Sequence, residues 1–137
     1  MLKTRVYVDG FLKFNGMING CSVRVEGNNK QMFFQRYLIE KIKKESFRDW
    51  VIERPITNFI VEYFAVWKGL MIAERYDSDF LYSDSEVIVK QLNGLYGVHK
   101  EAHKKWFNMC KTIWKGRAPK LRILWISRTK MVDVLGH

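Results

Sequence analysis

Four acidic residues, Asp9, Glu62, Asp84 and Asp133, each sit in an apolar stretch of a chain that is otherwise rich in lysine and arginine. Their surroundings read Val-Tyr-Val-Asp-Gly (6–10), Thr-Asn-Phe-Ile-Val-Glu-Tyr (57–63), Leu-Tyr-Ser-Asp-Ser-Glu (81–86) and Met-Val-Asp-Val-Leu (131–135). Carboxylates in such settings repel one another if folding gathers them, unless a multivalent cation or protons compensate the charge. A gathered set would be the ligand set of a metal-dependent phosphoryl-transfer site. These four are therefore the candidate catalytic and metal-binding residues.

The charge balance points to an anionic partner. Twenty-four Lys and Arg against fourteen Asp and Glu give a net charge of +10. If the four acids are taken up by a metal, the remaining surface is more basic still, and nucleic acid is the natural partner class.

The elements that must position the acids can be read from pattern. A chain of 137 residues, 47% hydrophobic and 15% aromatic, can bury one substantial core, so residues 1–137 are expected to form a single domain. Thr4 to Asp9 alternates and predicts a strand ending near Asp9-Gly10. Asn15-Gly16 and Asn19-Gly20 are expected as turns. Cys21 to Glu26 and Gln31 to Leu38 predict two further strands, joined by a hairpin at Gly27-Asn28-Asn29. Ile39 to Arg54 is charged and gives either a short helix or an extended edge.

From Thr57 the period becomes helical, with Ile60, Val61, Phe64, Ala65, Met71 and Ile72 recurring and Thr57 or Asn58 as N-cap, which predicts a helix to about Glu74. Phe80 to Tyr82 reads as a buried strand delivering Asp84, and Ser85 to Leu92 as a helix stopped by Asn93-Gly94. Ala102, Trp106, Met109, Cys110 and Ile113 define a longer helix ending near Gly116. Leu121 to Ile126 is a last strand, followed by a short helix carrying Asp133. Three hairpin-type strands followed by two crossover strands predict an α/β fold, a mixed five-stranded sheet with helices packed on it.

In this order the motifs resemble those of the ribonuclease H family, type 1, which has the ribonuclease H-like fold. The resemblance rests on Tyr-Val-Asp-Gly (7–10), on Thr57-Asn58 followed by Glu62-Tyr63, on Ser83-Asp84-Ser85 with Val89, Gln91, Asn93 and Gly94, and on Trp125-Ile126-Ser127-Arg128 followed by Asp133 and Leu135. It implies two Mg²⁺ or Mn²⁺ ions held by Asp9, Glu62, Asp84 and Asp133. It also implies hydrolysis of the RNA strand of an RNA–DNA hybrid to 5′-phosphate and 3′-hydroxyl ends. On this resemblance Asn58 meets the minor groove near the 2′-hydroxyls, Thr57 binds a phosphate of the DNA strand, and Gly10 admits the backbone to the RNA sugar. Ser85 and Arg128 join them as expected substrate contacts.

Two departures stand out. Phe59 replaces the second amide of the helix-start motif, leaving an aromatic that either stacks on substrate or packs. The connection from Arg128 to Asp133 is about two residues shorter than in relatives, which makes Asp133 the least secure of the four ligands.

Other features have plainer readings. His99 and His103 are four apart, but no HExxH is formed and no third ligand is evident, so they are expected as surface histidines and not as zinc ligands. Trp106 and Trp114 are expected to pack helices. At about 100° per residue, Lys100, Lys104, Lys111 and Lys115 fall within an arc of roughly 60°. They form either a solubilising face or a row that tracks phosphates, with Lys104 and Lys111 as its candidate substrate contacts. Cys21 and Cys110 have no metal-ligand spacing and are expected as reduced, buried thiols. No apolar run approaches the roughly 20 residues of a membrane span, and the start lacks a signal-peptide core. A cytoplasmic protein is expected, acting in its own cell or, as a viral or phage product, in a host's. Two other readings compete: a catalytically silent nucleic-acid-binding module, and another nuclease on the same fold, such as a Holliday-junction resolvase or an integrase-like strand cutter.

Overall fold

Alternate residues of the first strand face opposite sides of a sheet. Val6 and Val8 enter the main core, while Tyr7 joins a second, smaller cluster with Ile126, Met131 and Leu135. The computed structural model describes residues 3–13, 18–39 and 56–136. Within them the strands are β1 (Thr4–Lys13), β2 (Ile18–Gly27), β3 (Lys30–Leu38), β4 (Phe80–Ser83) and β5 (Arg122–Trp125), and the helices are α1 (Asn58–Arg75), α2 (Glu86–Leu92), α3 (Glu101–Arg117) and α4 (Arg128–Leu135).

The described strands form one five-stranded sheet in the order β3-β2-β1-β4-β5. The first three pair antiparallel, and β1/β4 and β4/β5 pair parallel. This is the mixed sheet that the sequence predicts. Asn28 and Asn29 make the two-residue turn of the β2/β3 hairpin, both with positive φ, the conformation that Asn tolerates and that matches the twist of the flanking strands.

The helix from residue 58 forms as expected because Thr57 caps it, its hydroxyl oxygen accepting from the Ile60 N–H at 3.3 Å. Buried between the sheet and α3, α1 is apolar on nearly every side. Trp106 of α3 meets Phe64 and Trp67 edge to face, both at 6.0 Å. Trp114 donates to the Leu121 carbonyl at 2.7 Å. Both tryptophans thus pack helices, as expected.

Two expectations need correction, and a third lies partly out of view. Strand β1 runs to Lys13, past its expected end, and Asn19-Gly20 lies inside β2, paired with Leu12 and Phe11. The glycine serves close packing there and not a turn: a Cβ on Gly20 would lie 2.2 Å from the Tyr37 carbonyl oxygen of β3 and 2.9 Å from the Phe11 ring. Asn15-Gly16 lies outside the described residues, as does the segment from Ile39 to Arg54 except for Ile39, whose side chain is buried in the main core.

Residues matched in the third motif hold α2 in place. Val89 is in the core, and the Gln91 side chain accepts from the Tyr63 hydroxyl and donates to the Gly97 carbonyl. Asn93 donates to the carbonyls of Val89 and Ile123 at 2.9 and 3.0 Å, tying the end of α2 to β5. Gly94 has φ +80°, the left-handed conformation in which helices commonly stop.

Candidate active site

Three of the four expected acids meet where the sheet changes from antiparallel to parallel pairing. Parallel register sets Tyr7 against Tyr82 and Val8 against Ser83. The pairing stops there, so Asp9 and Asp84, the next residues, sit side by side where β1 and β4 diverge. Glu62 comes from the second turn of α1. Oxygens of Asp9, Glu62 and Asp84 all lie within 4.8 Å of one another.

Gly10 makes the third approach possible. A Cβ there would lie 2.6 Å from both the Val61 carbonyl carbon and its oxygen, and 2.9 Å from the Glu62 nitrogen. The helix backbone thus rests directly on β1 at the residue that carries the third carboxylate. Gly69 serves the same close approach farther along α1, where a Cβ would lie 2.4 Å from Val8 Cγ1. The resemblance implies access for a substrate sugar at Gly10, and Gly10 both lines the cleft and lets α1 approach β1.

The electrostatics follow from crowding. Burial, and then the charges of Asp9 and Asp84, push the Glu62 carboxyl up to about 9, against an opposing backbone hydrogen bond from Gly10. Its Oε2 atom is buried with no hydrogen-bond donor. Arg128, the first residue of α4, offsets some of the negative charge: its Nη1 donates to Asp9 Oδ2 at 2.6 Å and to Asp84 Oδ2 at 2.7 Å. Those two hydrogen bonds hold the guanidinium firmly protonated. The Asp84 carbonyl accepts from the Trp125 indole at 3.2 Å, and the Ser83 hydroxyl accepts from the Ser85 N–H at 3.1 Å. The backbone that presents Asp84 is therefore fixed on both sides.

Asp133 does not join the group. Met131 and Leu135 bury one side of α4, and Asp133, two residues from each, lies about 200° round the helix from either, on an exposed position.

Glu62 and Asp84 line an open cleft of about 510 Å³ together with Gly10, Phe11, Leu12, Asn58, Ser85 and Arg128. Of the expected substrate contacts, Gly10, Asn58, Ser85 and Arg128 thus share one wall with the acids, and Thr57 stands exposed at the mouth of α1 with its hydroxyl oxygen accepting the capping bond. Phe59 packs: its ring lies 4.2 Å from that of His103 and edge-on to Tyr63 at 5.4 Å. Burial, and then Lys100, lower the pKa of His103. Neither histidine belongs to the group that could hold a metal among the described residues.

Of the lysine row, Lys100 and Lys115 are exposed, and Lys104 and Lys111 are half-buried. Lys104 pairs with Glu101 at 3.3 Å. Lys111 donates to the Leu92 carbonyl at the end of α2 at 3.2 Å and lies over the Trp114 ring at 5.1 Å. Lysine at a helix C-terminus complements the macrodipole, and Lys111 provides this for α2 from the neighbouring helix. Sequence reasoning missed this pairing, and it missed that Arg128 bridges Asp9 and Asp84. Neither has a local signal, since the partners lie 19, 119 and 44 residues apart.

Neither a protein-family model nor a curated protein sequence matches the chain. Solved structures do. The chain is similar to a ribonuclease H1 isolated from compost by a metagenomic approach, at 25% identity and a TM-score of 0.76, covering 98% of this chain and 93% of that one. A structure of that ribonuclease in complex with an RNA/DNA hybrid matches at 23% identity and a TM-score of 0.73, over 96% and 90% of the two chains. The ribonuclease H1 of the halophilic archaeon Halobacterium salinarum matches at 19% identity and a TM-score of 0.71, over 97% and 93%. The mixed sheet with helices on it is the ribonuclease H-like fold of these neighbours, and the likeness over almost the whole chain supports assigning this protein to the ribonuclease H family.

Proposed function

We propose that this protein is an endoribonuclease that hydrolyses the RNA strand of RNA–DNA hybrids, giving 5′-phosphate and 3′-hydroxyl ends. The observation that carries the reading is the meeting of Asp9, Glu62 and Asp84, from β1, α1 and the end of β4, within 4.8 Å beside a cleft of a chain with net charge +10. The ribonuclease H1 in complex with an RNA/DNA hybrid supports the choice of substrate. No described helix is long and apolar enough to cross a membrane.

The residues present fit a hard divalent cation. All three are oxygen donors, the class that suits Mg²⁺ and Mn²⁺, and the buried Oε2 of Glu62 lacks the partner that such an atom normally has. Two ions at Asp9, Glu62 and Asp84 would supply water activation and charge neutralisation at the scissile phosphate. The chain supplies placement. Strands β1 and β4 fix two of the acids, and α1 brings the third across Gly10. Asn58 and Ser85 on the cleft wall orient the sugar edge of the bound strand, where a 2′-hydroxyl distinguishes RNA from DNA.

Incubation with labelled RNA–DNA hybrid, duplex DNA, duplex RNA and a four-way junction, each with Mg²⁺ and with EDTA, tests the substrate. Cutting confined to the RNA strand of the hybrid, and only with Mg²⁺, is expected. Cutting of the junction or of duplex DNA would replace this reading with that of another nuclease on the same fold, and binding without cutting would leave a silent module. A melting experiment tests the metal site separately. A cation that binds the folded cluster alone stabilises by mass action, so Mg²⁺ at about 100 times its Kd should add about 2.7 kcal/mol. A melting temperature indifferent to millimolar Mg²⁺ would count against the site.

A further inference from the structure

The strongest unexplained feature is the place that Arg128 takes. One nitrogen, Nη1, donates to an oxygen of each of two acids, Asp9 and Asp84. Both oxygens belong to acids of the group that could hold a metal. The carboxylates are held by the sheet and almost enclosed, at 2% and 8% side-chain exposure, whereas the arginine side chain is 58% exposed. The arginine therefore reaches in from solvent and can withdraw without opening the core.

Nor does α4 need a cation at this position. A positive charge in the first turn of a helix opposes the macrodipole, and the N-terminus is already capped by Ser127, whose hydroxyl accepts from the Lys130 N–H at 3.3 Å. What draws the guanidinium inward is the carboxylate pair. The geometry is that of a counter-ion that can be exchanged.

We propose that Arg128 is an exchangeable counter-ion of the Asp9–Asp84 pair, which yields those carboxylates to the divalent cation and is then available to a phosphate of the bound strand. The inference rests on the divalent-metal reading of the site given above. Its thermodynamic content is a competition. A side chain that occupies the pair nine-tenths of the time weakens apparent metal affinity about tenfold. By reciprocity, metal binding raises the affinity for the nucleic-acid backbone, because it frees a cation to meet it.

Calorimetric titration of Mg²⁺ into the unmodified protein and into Arg128→Gln tests the competition. Binding roughly tenfold tighter in the variant is expected. Equal or weaker binding in the variant overturns the exchange alone. No binding by either protein overturns the metal reading and the exchange with it. The backbone contact has its own readout, the salt dependence of affinity for a hybrid probe whose RNA strand carries 2′-methoxy groups and so resists cutting. In EDTA the two proteins should show the same slope, and in Mg²⁺ the unmodified protein should exceed the variant by about one unit. A difference already present in EDTA overturns the exchange. Should Arg128→Gln fail to fold, nitrogen-resolved NMR of the arginine side chains answers on the unmodified protein. The restrained Arg128 Nη signals seen in EDTA should become those of a mobile arginine as Mg²⁺ saturates, and persistence of the restrained signals overturns the proposal.

Discussion

Asp84→Asn is expected to lower cleavage of the hybrid at least about a thousandfold, which corresponds to roughly 4 kcal/mol of transition-state stabilisation, while leaving hybrid affinity unchanged or tighter. The substitution keeps the size of the side chain and removes a negative charge that repels the phosphate. Folding should survive it, because Asp9 still holds Arg128 at 2.6 Å and the surrounding backbone keeps its bonds from Trp125 and to Ser83. The measurement is single-turnover cleavage at saturating Mg²⁺ beside a binding titration. A variant that cuts within tenfold of the parent would remove Asp84 from the reaction. Asp133→Asn is the informative companion: with Asp133 on the exposed side of α4, it should lose far less. A loss equal to that of Asp84→Asn would show that α4 turns its acid into the site during catalysis.

Gly10→Ala should destabilise the protein by about 2–3 kcal/mol, the upper range for forcing a methyl group into a filled space, or roughly 6–12 °C in Tm. The reason is what the new carbon meets. Backbone atoms of Val61, 2.6 Å away, cannot turn aside as a side chain could, so α1 itself must retreat. Because Glu62 is the next residue, the same retreat takes it from Asp9 and Asp84, and the stabilisation by Mg²⁺ should fall with it. Gly116→Ala serves as the control, since nothing lies within 4 Å of a Cβ there and alanine is the better helix former. Its melting temperature should hold or rise. A Gly10→Ala protein that melts with the parent would mean that α1 does not rest on β1 as described.

How far the sequence reveals this site depends on the range over which each signal acts. The helix carrying Glu62 is legible because its cap, Thr57, and its apolar period are local. The end of α2 is legible because Asn93-Gly94 is a local stop. Asn19-Gly20 misleads for the complementary reason: glycine at a turn and glycine under a neighbouring strand look alike until Tyr37 and Phe11 are in place. Asp133 shows a finer limit. Its motif survives in order, but helical phase decides what it faces, and on α4 it falls opposite Met131 and Leu135. Arg128 is legible as a member of its motif and not as the partner of Asp9 and Asp84, since nothing near it in sequence announces carboxylates brought from two strands.

The unequal size of the two buried clusters has a consequence for local stability. Among the described residues, helix α4 sets Met131 and Leu135 against Tyr7 and Ile126, with Phe34 and Tyr82 at the margin, and Arg24 of β2 donates to its last turn at the Val134 carbonyl at 2.8 Å. Regions with few buried apolar contacts open at a fraction of the global unfolding energy. The element bearing Arg128 should therefore exchange its amide protons faster than β1, β4 and α1, which carry or directly precede the three acids. The three acids are thus carried by the larger cluster's elements and Arg128 by the smaller one's.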